Sequence, residues 1–236
     1  MPLPGSCHPR AIELMTSAVP GLTSTGGLLL AATSIAVHAQ PAVRVEEVER
    51  TISAYVDSVL ARLPRLKRMP RPIPLDEVEV VMAHLHFVLF EQAGFTGNAA
   101  EYYDERNNYL PDVLTRRLGV PITLALVYKA VGELLGLRIH GINAPMHFLV
   151  EVEGPGRRMF VDPFSGGRLL WEDEVADAIR ETTGVAVDAG RLPRASHQAW
   201  IARILRNLEA QFANAGRQDD VRAMQELAAI AGVHEY

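Results

Sequence analysis

Apolar positions recur every three to four residues over most of this chain, and the breaks in that rhythm divide it into helices. Val45, Val48, Ile52, Val56, Val59 and Leu63 form one stripe, which predicts an amphipathic helix over residues 45–63. Val78, Val81, Met82, Leu85, Val88 and Leu89 form a second, ending at Gly94, with Asp76 and Glu79 spaced as a capping box at its start. Leu110, Val113, Leu114 and Leu118 form a third, closed by Gly119. Pro121 suits the first turn of the next helix, where a missing N–H costs nothing. That helix, Pro121 to about Leu135, carries almost no charge before Gly136, and a helix apolar on nearly all sides is a central one. Near the C-terminus, residues 171–179, a stripe from Trp200 to Phe212 capped by Ser196, and residues 221–230 predict three more helices.

Between the central helix and residue 171 the period changes to that of strands: Arg138 to Asn143, Phe148 to Glu153, a Gly154-Pro155-Gly156 turn, and Arg158 to Asp162. Pairing Glu153 with Arg158 sets Leu149 opposite Asp162 and turns His147 to the same face, about 7 Å from Asp162 at the backbone. A slip of one residue would separate them.

Two other stretches shape the outline. Gly26 to Val37 is continuously apolar but shorter than the roughly 20 residues a bilayer crossing needs. It is expected to be a buried helix; a secretory signal over residues 1–39, cut after Val37-His38-Ala39, is the lesser reading. Residues 1–25 are expected to be poorly ordered. Pro64 to Pro74 holds four prolines and four basic residues, Arg65, Lys67, Arg68 and Arg71, which reads as a solvated connecting loop; an anionic partner site on the same charges is the lesser reading.

Composition excludes more than it assigns. The 236 residues are 48% hydrophobic with a net charge of −5, enough for a full core and with no basic surface to recommend a nucleic-acid partner. Cys7 stands alone, so neither an internal disulfide nor a cysteine zinc site can form, and a reducing, cytoplasmic setting fits. His84 and His86, two apart on a helix, point about 200° from each other and cannot share a metal. No metal, cofactor or membrane contact is expected.

The chemistry gathers between Glu101 and Phe164. A helix, then a strand with His147, then a strand with Asp162 is the order in which papain-like and transglutaminase-like folds place a nucleophile, its base and the base's orienting group. From the residues alone the pair is weak evidence, since such a His and Asp brace structures more often than they catalyse, and Asp162-Pro163 can simply start a turn. Asp104, Arg106, Asn107 and Asn108 form a polar cluster before Tyr109, where either asparagine could cap the following helix. Thr123 lies near the nucleophile's turn, but a helical threonine usually bonds back to a carbonyl one turn earlier. Cys7 is remote from any fixed electropositive setting.

The segments Gly94-Phe95-Thr96-Gly97-Asn98, Tyr102 to Leu110, Val113 to Leu124 and Pro145 to Val150 resemble the transglutaminase-like core of the SirB family. The resemblance implies an α+β, papain/transglutaminase-like core over residues 75–170, with a central helix packed on a small antiparallel sheet. A helical part with its linker precedes it at 26–74, and tetratricopeptide-like helices follow at 171–236. It also implies that His147 and Asp162 hold the base and orienter positions, while Pro121 or Ile122 stands where catalytic relatives carry cysteine. Met146 replaces the usual glycine before the histidine, and Asn108 the usual serine.

Two functions then compete. One is a noncatalytic module that binds a peptide or protein in the inherited cleft, with Asn107, Arg106, Tyr109, Pro121 and Met146 as binding residues. The other is a hydrolase or acyltransferase that uses His147 and Asp162 with Thr123, another hydroxyl or a water. The missing cysteine favours the first, because nucleophile and base act as a unit.

Overall fold

The computed structural model describes residues 6–154, 156 and 158–233. Its helices are α1 (Pro9–Ala18), α2 (Thr25–Ala39), α3 (Val45–Arg62), α4 (Val78–His86), α5 (Leu110–Arg116), α6 (Pro121–Leu134), α7 (Glu172–Thr183), α8 (His197–Asn214) and α9 (Gln218–Ile230). The strands are β1 (Thr96–Gly97), β2 (Leu118–Gly119), β3 (Ile139–Ala144), β4 (His147–Glu153), β5 (Arg158–Asp162), β6 (Arg168–Trp171) and β7 (Arg194–Ala195). The fold is α+β.

Helix α6 is the axis, buried along nearly its whole length because it touches β3 and β4 on one side and α2, α3, α4 and α5 on the other. The antiparallel sheet runs β6-β5-β4-β3-β7. Phe148, Val150, Val152, Met159 and Val161 join the main core, whereas Leu149, Phe160 and Leu170 pack with Val175 and Ile179 of α7 on the opposite face. With both faces covered, β4 is apolar at consecutive positions instead of alternating. Glu151 is the exception, and its buried carboxylate is shared by Arg158 at 2.8 Å and Arg194 at 2.6 Å. That clamp ties β5 and the short edge strand β7 to β4.

The segment from 26 to 37 is the buried helix expected of it, inside α2, with Ser24 accepting from the Gly27 amide at 3.1 Å. Residues 1–5 lie outside the described residues, but the expectation of disorder fails from Ser6 onward. Pro9 opens α1, His8 Nδ1 accepts from the Arg10 amide, and Ala11, Met15 and Ala18 are buried against α2 and α9. A carboxylate of α9, Glu226, accepts from the amides of Ser6 and Cys7 and fixes the entry to α1. The stripe is narrow and made mostly of alanine, so its period is faint in the sequence.

Two helix ends differ from their sequence signals. A short 3-10 turn, Leu75–Glu77, leads into α4, whose start has no side-chain cap, so the Asp76–Glu79 box does not form. Helix α5 stops at Arg116, with Arg117 left-handed at φ 62°, because Leu118 and Gly119 leave it to pair in parallel with Thr96 and Gly97. At the C-terminus, α8 and α9 form a helical hairpin whose apolar side packs on α1, α2 and α6. No helix among the described residues is long and apolar enough to cross a membrane.

Candidate functional site

The β4–β5 hairpin has the register that places its two ionisable residues together. Glu153 pairs with Arg158, and the ladder runs to Val150 with Val161, so Leu149 comes opposite Asp162 with His147 on the same face. His147 Nε2 lies 2.9 Å from Asp162 Oδ2, both side chains buried. The carboxylate is also the centre of a turn: Oδ1 accepts from the amides of Phe164 at 3.0 Å and Ser165 at 3.2 Å, and Oδ2 from the Ser165 hydroxyl at 2.8 Å. Asp162 therefore both starts the turn and holds the imidazole.

Burial works against a charge on Asp162, but the hydrogen bond and charge of His147, with the Ser165 hydroxyl and amide, outweigh it and hold the carboxyl below its ordinary value. An ionised Asp162 accepts a hydrogen bond from Nε2–H, which leaves Nδ1 as the ring nitrogen the carboxylate does not engage. Among the described residues Nδ1 has no hydrogen-bond partner. The ring meets Phe164 edge-on, with centroids 6.3 Å apart.

His147 borders a cleft of about 390 Å³ lined also by Ala99, Tyr102, Tyr103, Pro121, Met146 and Phe164. That volume suits a few side chains of a ligand. Tyr103 is 80% and Met146 72% exposed, so the mouth carries two large side chains that the fold does not cover. The Phe164 wall is held by backbone: Gly97 donates to the Phe164 carbonyl at 2.9 Å, and a Cβ on Gly97 would lie 2.4 Å from the ring. Met146 follows Pro145 in the two-residue turn between β3 and β4 and holds φ at 53°. A turn with positive φ at its second central residue prefers glycine. The chain carries methionine there against a backbone cost of about 1–2 kcal/mol.

The head of α6 faces the same cleft. Pro121 lines it, while Ile122 is buried and its carbonyl accepts from Trp200 Nε1 at 3.1 Å. Of the two residues weighed for the nucleophile's place, Pro121 is the one at the cleft, and it brings no thiol or hydroxyl. Thr123 is fully buried, its hydroxyl set against the carbonyls of Asn107 at 2.7 Å and Val120 at 3.1 Å. It braces the polar loop against α6 and does not line the cleft.

The other expected binding residues do not line the cleft. Asn107 is buried; its amide donates to the carbonyls of Glu101 and Tyr102 and its oxygen accepts from Asn98 at 3.0 Å. Asn108 accepts from Asn207, and α5 begins after Tyr109 with no side-chain cap, so neither asparagine caps it. Arg106 is exposed and forked onto Asp104. Tyr109 is buried in the core, which pushes its phenol up. The aromatic wall of Tyr102, Tyr103 and Phe164 went unread in the sequence; a Tyr-Tyr pair beside a loop and the Phe of Asp-Pro-Phe were its available signals. His86 is a packing residue bonded to the Tyr128 hydroxyl at 2.9 Å, and burial lowers it to about 4. Among the described residues no group of three His, Cys, Asp or Glu is placed to hold a metal.

Similarity to known proteins agrees with this geometry. The chain matches the family described as the transglutaminase-like superfamily over residues 46–206. It belongs to that superfamily. A UPF0162 protein of Xylella fastidiosa is 41% identical over 143 residues, covering 58% of this chain and 51% of the relative. A UPF0162 protein of Vibrio cholerae is 34% identical over 80 residues, covering 34% of this chain and 30% of the relative. F-box only protein 21 of Mus musculus is 37% identical over 98 residues, 38% of this chain but 16% of the relative. The chain thus spans about half the length of its Xylella relative and less of the others. No solved structure matches.

Proposed function

We propose that this transglutaminase-like protein is a noncatalytic module that holds a peptide segment of a partner protein in the cleft beside His147. One observation carries the reading: Pro121, without thiol or hydroxyl, lines the cleft at the head of α6. Three further features support it. The mouth exposes Tyr103 and Met146; the Phe164 wall is fixed by Gly97; and the His147–Asp162 pair fixes an imidazole whose Nδ1 is available to a ligand. The SirB-type assignment and a tetratricopeptide-like relationship of α8 and α9 are part of this reading, as is a cytoplasmic setting for a chain with one buried thiol. Selection from a displayed peptide library tests it: peptides recovered by the wild-type chain should lose about tenfold or more in affinity to Tyr103→Ala or Phe164→Ala. Recovered peptides that bind both variants unchanged would sink it.

A second reading, acyl transfer or hydrolysis through His147 and Asp162, is favoured by an Nδ1 that has no partner among the described residues. Under it, hydroxyl-directed acyl probes label the wild-type chain and not His147→Ala. The noncatalytic reading expects no labelling in either.

A further inference from the structure

Arg203 stands on α8 behind the turn that carries Met146 and His147. Its Nη1 donates to the Asn143 side-chain oxygen and to the Ala144 carbonyl at 3.0 Å, and its guanidinium carbon lies 5.9 Å from the centre of the Phe148 ring. Tyr102, which lines the cleft, contributes to the electrostatic surroundings of Arg203. Arg203 does not itself line the cleft; it holds Asn143 and Ala144, the residues that lead into the turn whose Met146 and His147 do.

Several other arginines of this chain are ion-paired. Arg158 and Arg194 share Glu151, and Arg217 reaches Glu105 and Asp220. Arg203, half-buried, pairs with no carboxylate among the described residues; its neighbours in charge are the neutral Tyr102 and the like-charged Arg206. Burial consequently pulls it down from its ordinary value. Cations withdrawn from water are normally paired. A guanidinium has five N–H donors in a rigid fork, and only Nη1 has partners among the described residues, both neutral. Nε and Nη2 are available to an anion, and a carboxylate is the planar acceptor that fork fits.

We propose that a peptide seated in the cleft is recognised through a carboxylate that reaches past the Met146–His147 turn to Arg203, while the Phe164–Tyr103 wall takes an apolar side chain. This rests on the peptide-binding reading and narrows it to segments that end in a free carboxylate or carry an acidic residue. Bracing of the β3–β4 turn by Nη1 is a separate role of the same residue, so the test needs a readout that bracing alone does not move.

Three pools of random N-acetylated hexapeptides supply that readout, titrated into the full chain while the Met146 methyl and His147 ring signals are followed by NMR. The first pool has free C-termini and no acidic residue; the second has amidated C-termini and no acidic residue; the third is amidated with one glutamate. The free-acid or the glutamate pool should bind about tenfold or more tighter than the neutral amide pool, the scale of a charge-assisted hydrogen bond. Which of the two does so identifies the source of the carboxylate. Arg203→Gln should erase the preference, Arg203→Lys, which keeps the charge without the fork, should reduce it, and Arg206→Gln should leave it intact. Equal binding of all pools, or a preference that survives Arg203→Gln and Arg203→Lys, overturns the carboxylate while leaving peptide binding in place. Signals unmoved by every pool overturn both.

Discussion

A thiol placed at residue 121 would report how much of a nucleophile's environment the cleft retains. Pro121 is the first residue of α6 and shares the cleft with His147, so a cysteine there meets the positive end of a helix and an imidazole together. Such settings lower a thiol from about 8.5 to about 3.5–7.5. At a value of about 6.5, the thiolate fraction at neutral pH rises from about 3% to about 75%, roughly 25-fold. Nucleophilicity falls as the pKa falls, by roughly eightfold over those two units, so the net gain in rate at neutral pH is only about threefold. The position of the pH profile, not the rate, is the decisive quantity. Alkylation of Pro121→Cys by iodoacetamide, followed by intact mass, should inflect below about pH 7.5, and adding His147→Ala should move it up by roughly one unit. Background is low, because burial, then the Glu226 charge, pushes the Cys7 thiol up to about 12. Ile122→Cys, placed in the core, should stay unlabelled in the native chain. An inflection near about 8.5 that ignores His147, or a reactive Ile122→Cys, would refute the placement of Pro121 at the nucleophile's position.

Three other outcomes rest on particular contacts. The folded-state value of Asp162 is depressed, so its contribution to stability is present above the unfolded value of about 3.9 and is lost as pH falls through the folded value. Urea midpoints measured across the acid range should show a shallower loss in Asp162→Asn than in wild type; parallel curves would contradict the assignment. Glu151→Gln strands Arg158 and Arg194 around a buried neutral group and should cost about 1–3 kcal/mol, less than the roughly 3–5 kcal/mol of a wholly buried pair because both arginines reach solvent. Faster amide exchange in β7 than in β4 should accompany it. Gly97→Ala drives a Cβ into the Phe164 ring, costing about 1–3 kcal/mol by denaturation and weakening peptide capture at the cleft; an unchanged midpoint would mean the ring is not held there.

The central helix and the hairpin were legible because their signals are strong and mutually consistent. Pro121 and Gly136 bracket a run charged only at Lys129 and Glu133, and a four-residue connection leaves one register in which His147 and Asp162 face each other. The missed features are those whose reason lies elsewhere in the chain. Helix α1 owes its order to Glu226, far away in sequence. Leu118 and Gly119 have helical spacing but follow the pull of β1. The short strands β6 and β7 exist as partners of β5 and β3, not by their own composition. At the site, Tyr102, Tyr103 and Phe164 converge from separate loops with no period to betray them. Asn107, conspicuous in the polar cluster, turns inward to hold that loop. Arg203 is hidden among the apolar residues of α8, where its stripe reads as packing alone.

The most direct test of a noncatalytic peptide-binding cleft is one titration read twice. Library-selected peptide is added to the full chain while the Tyr102, Met146 and His147 signals are followed, and the peptide is then recovered and weighed by mass spectrometry. The account predicts saturable shifts at all three residues and a peptide returned with its mass unchanged. Peptide returned cleaved or acyl-transferred by wild type and intact from His147→Ala would contradict it, and would make the chain an enzyme with a nucleophile other than cysteine.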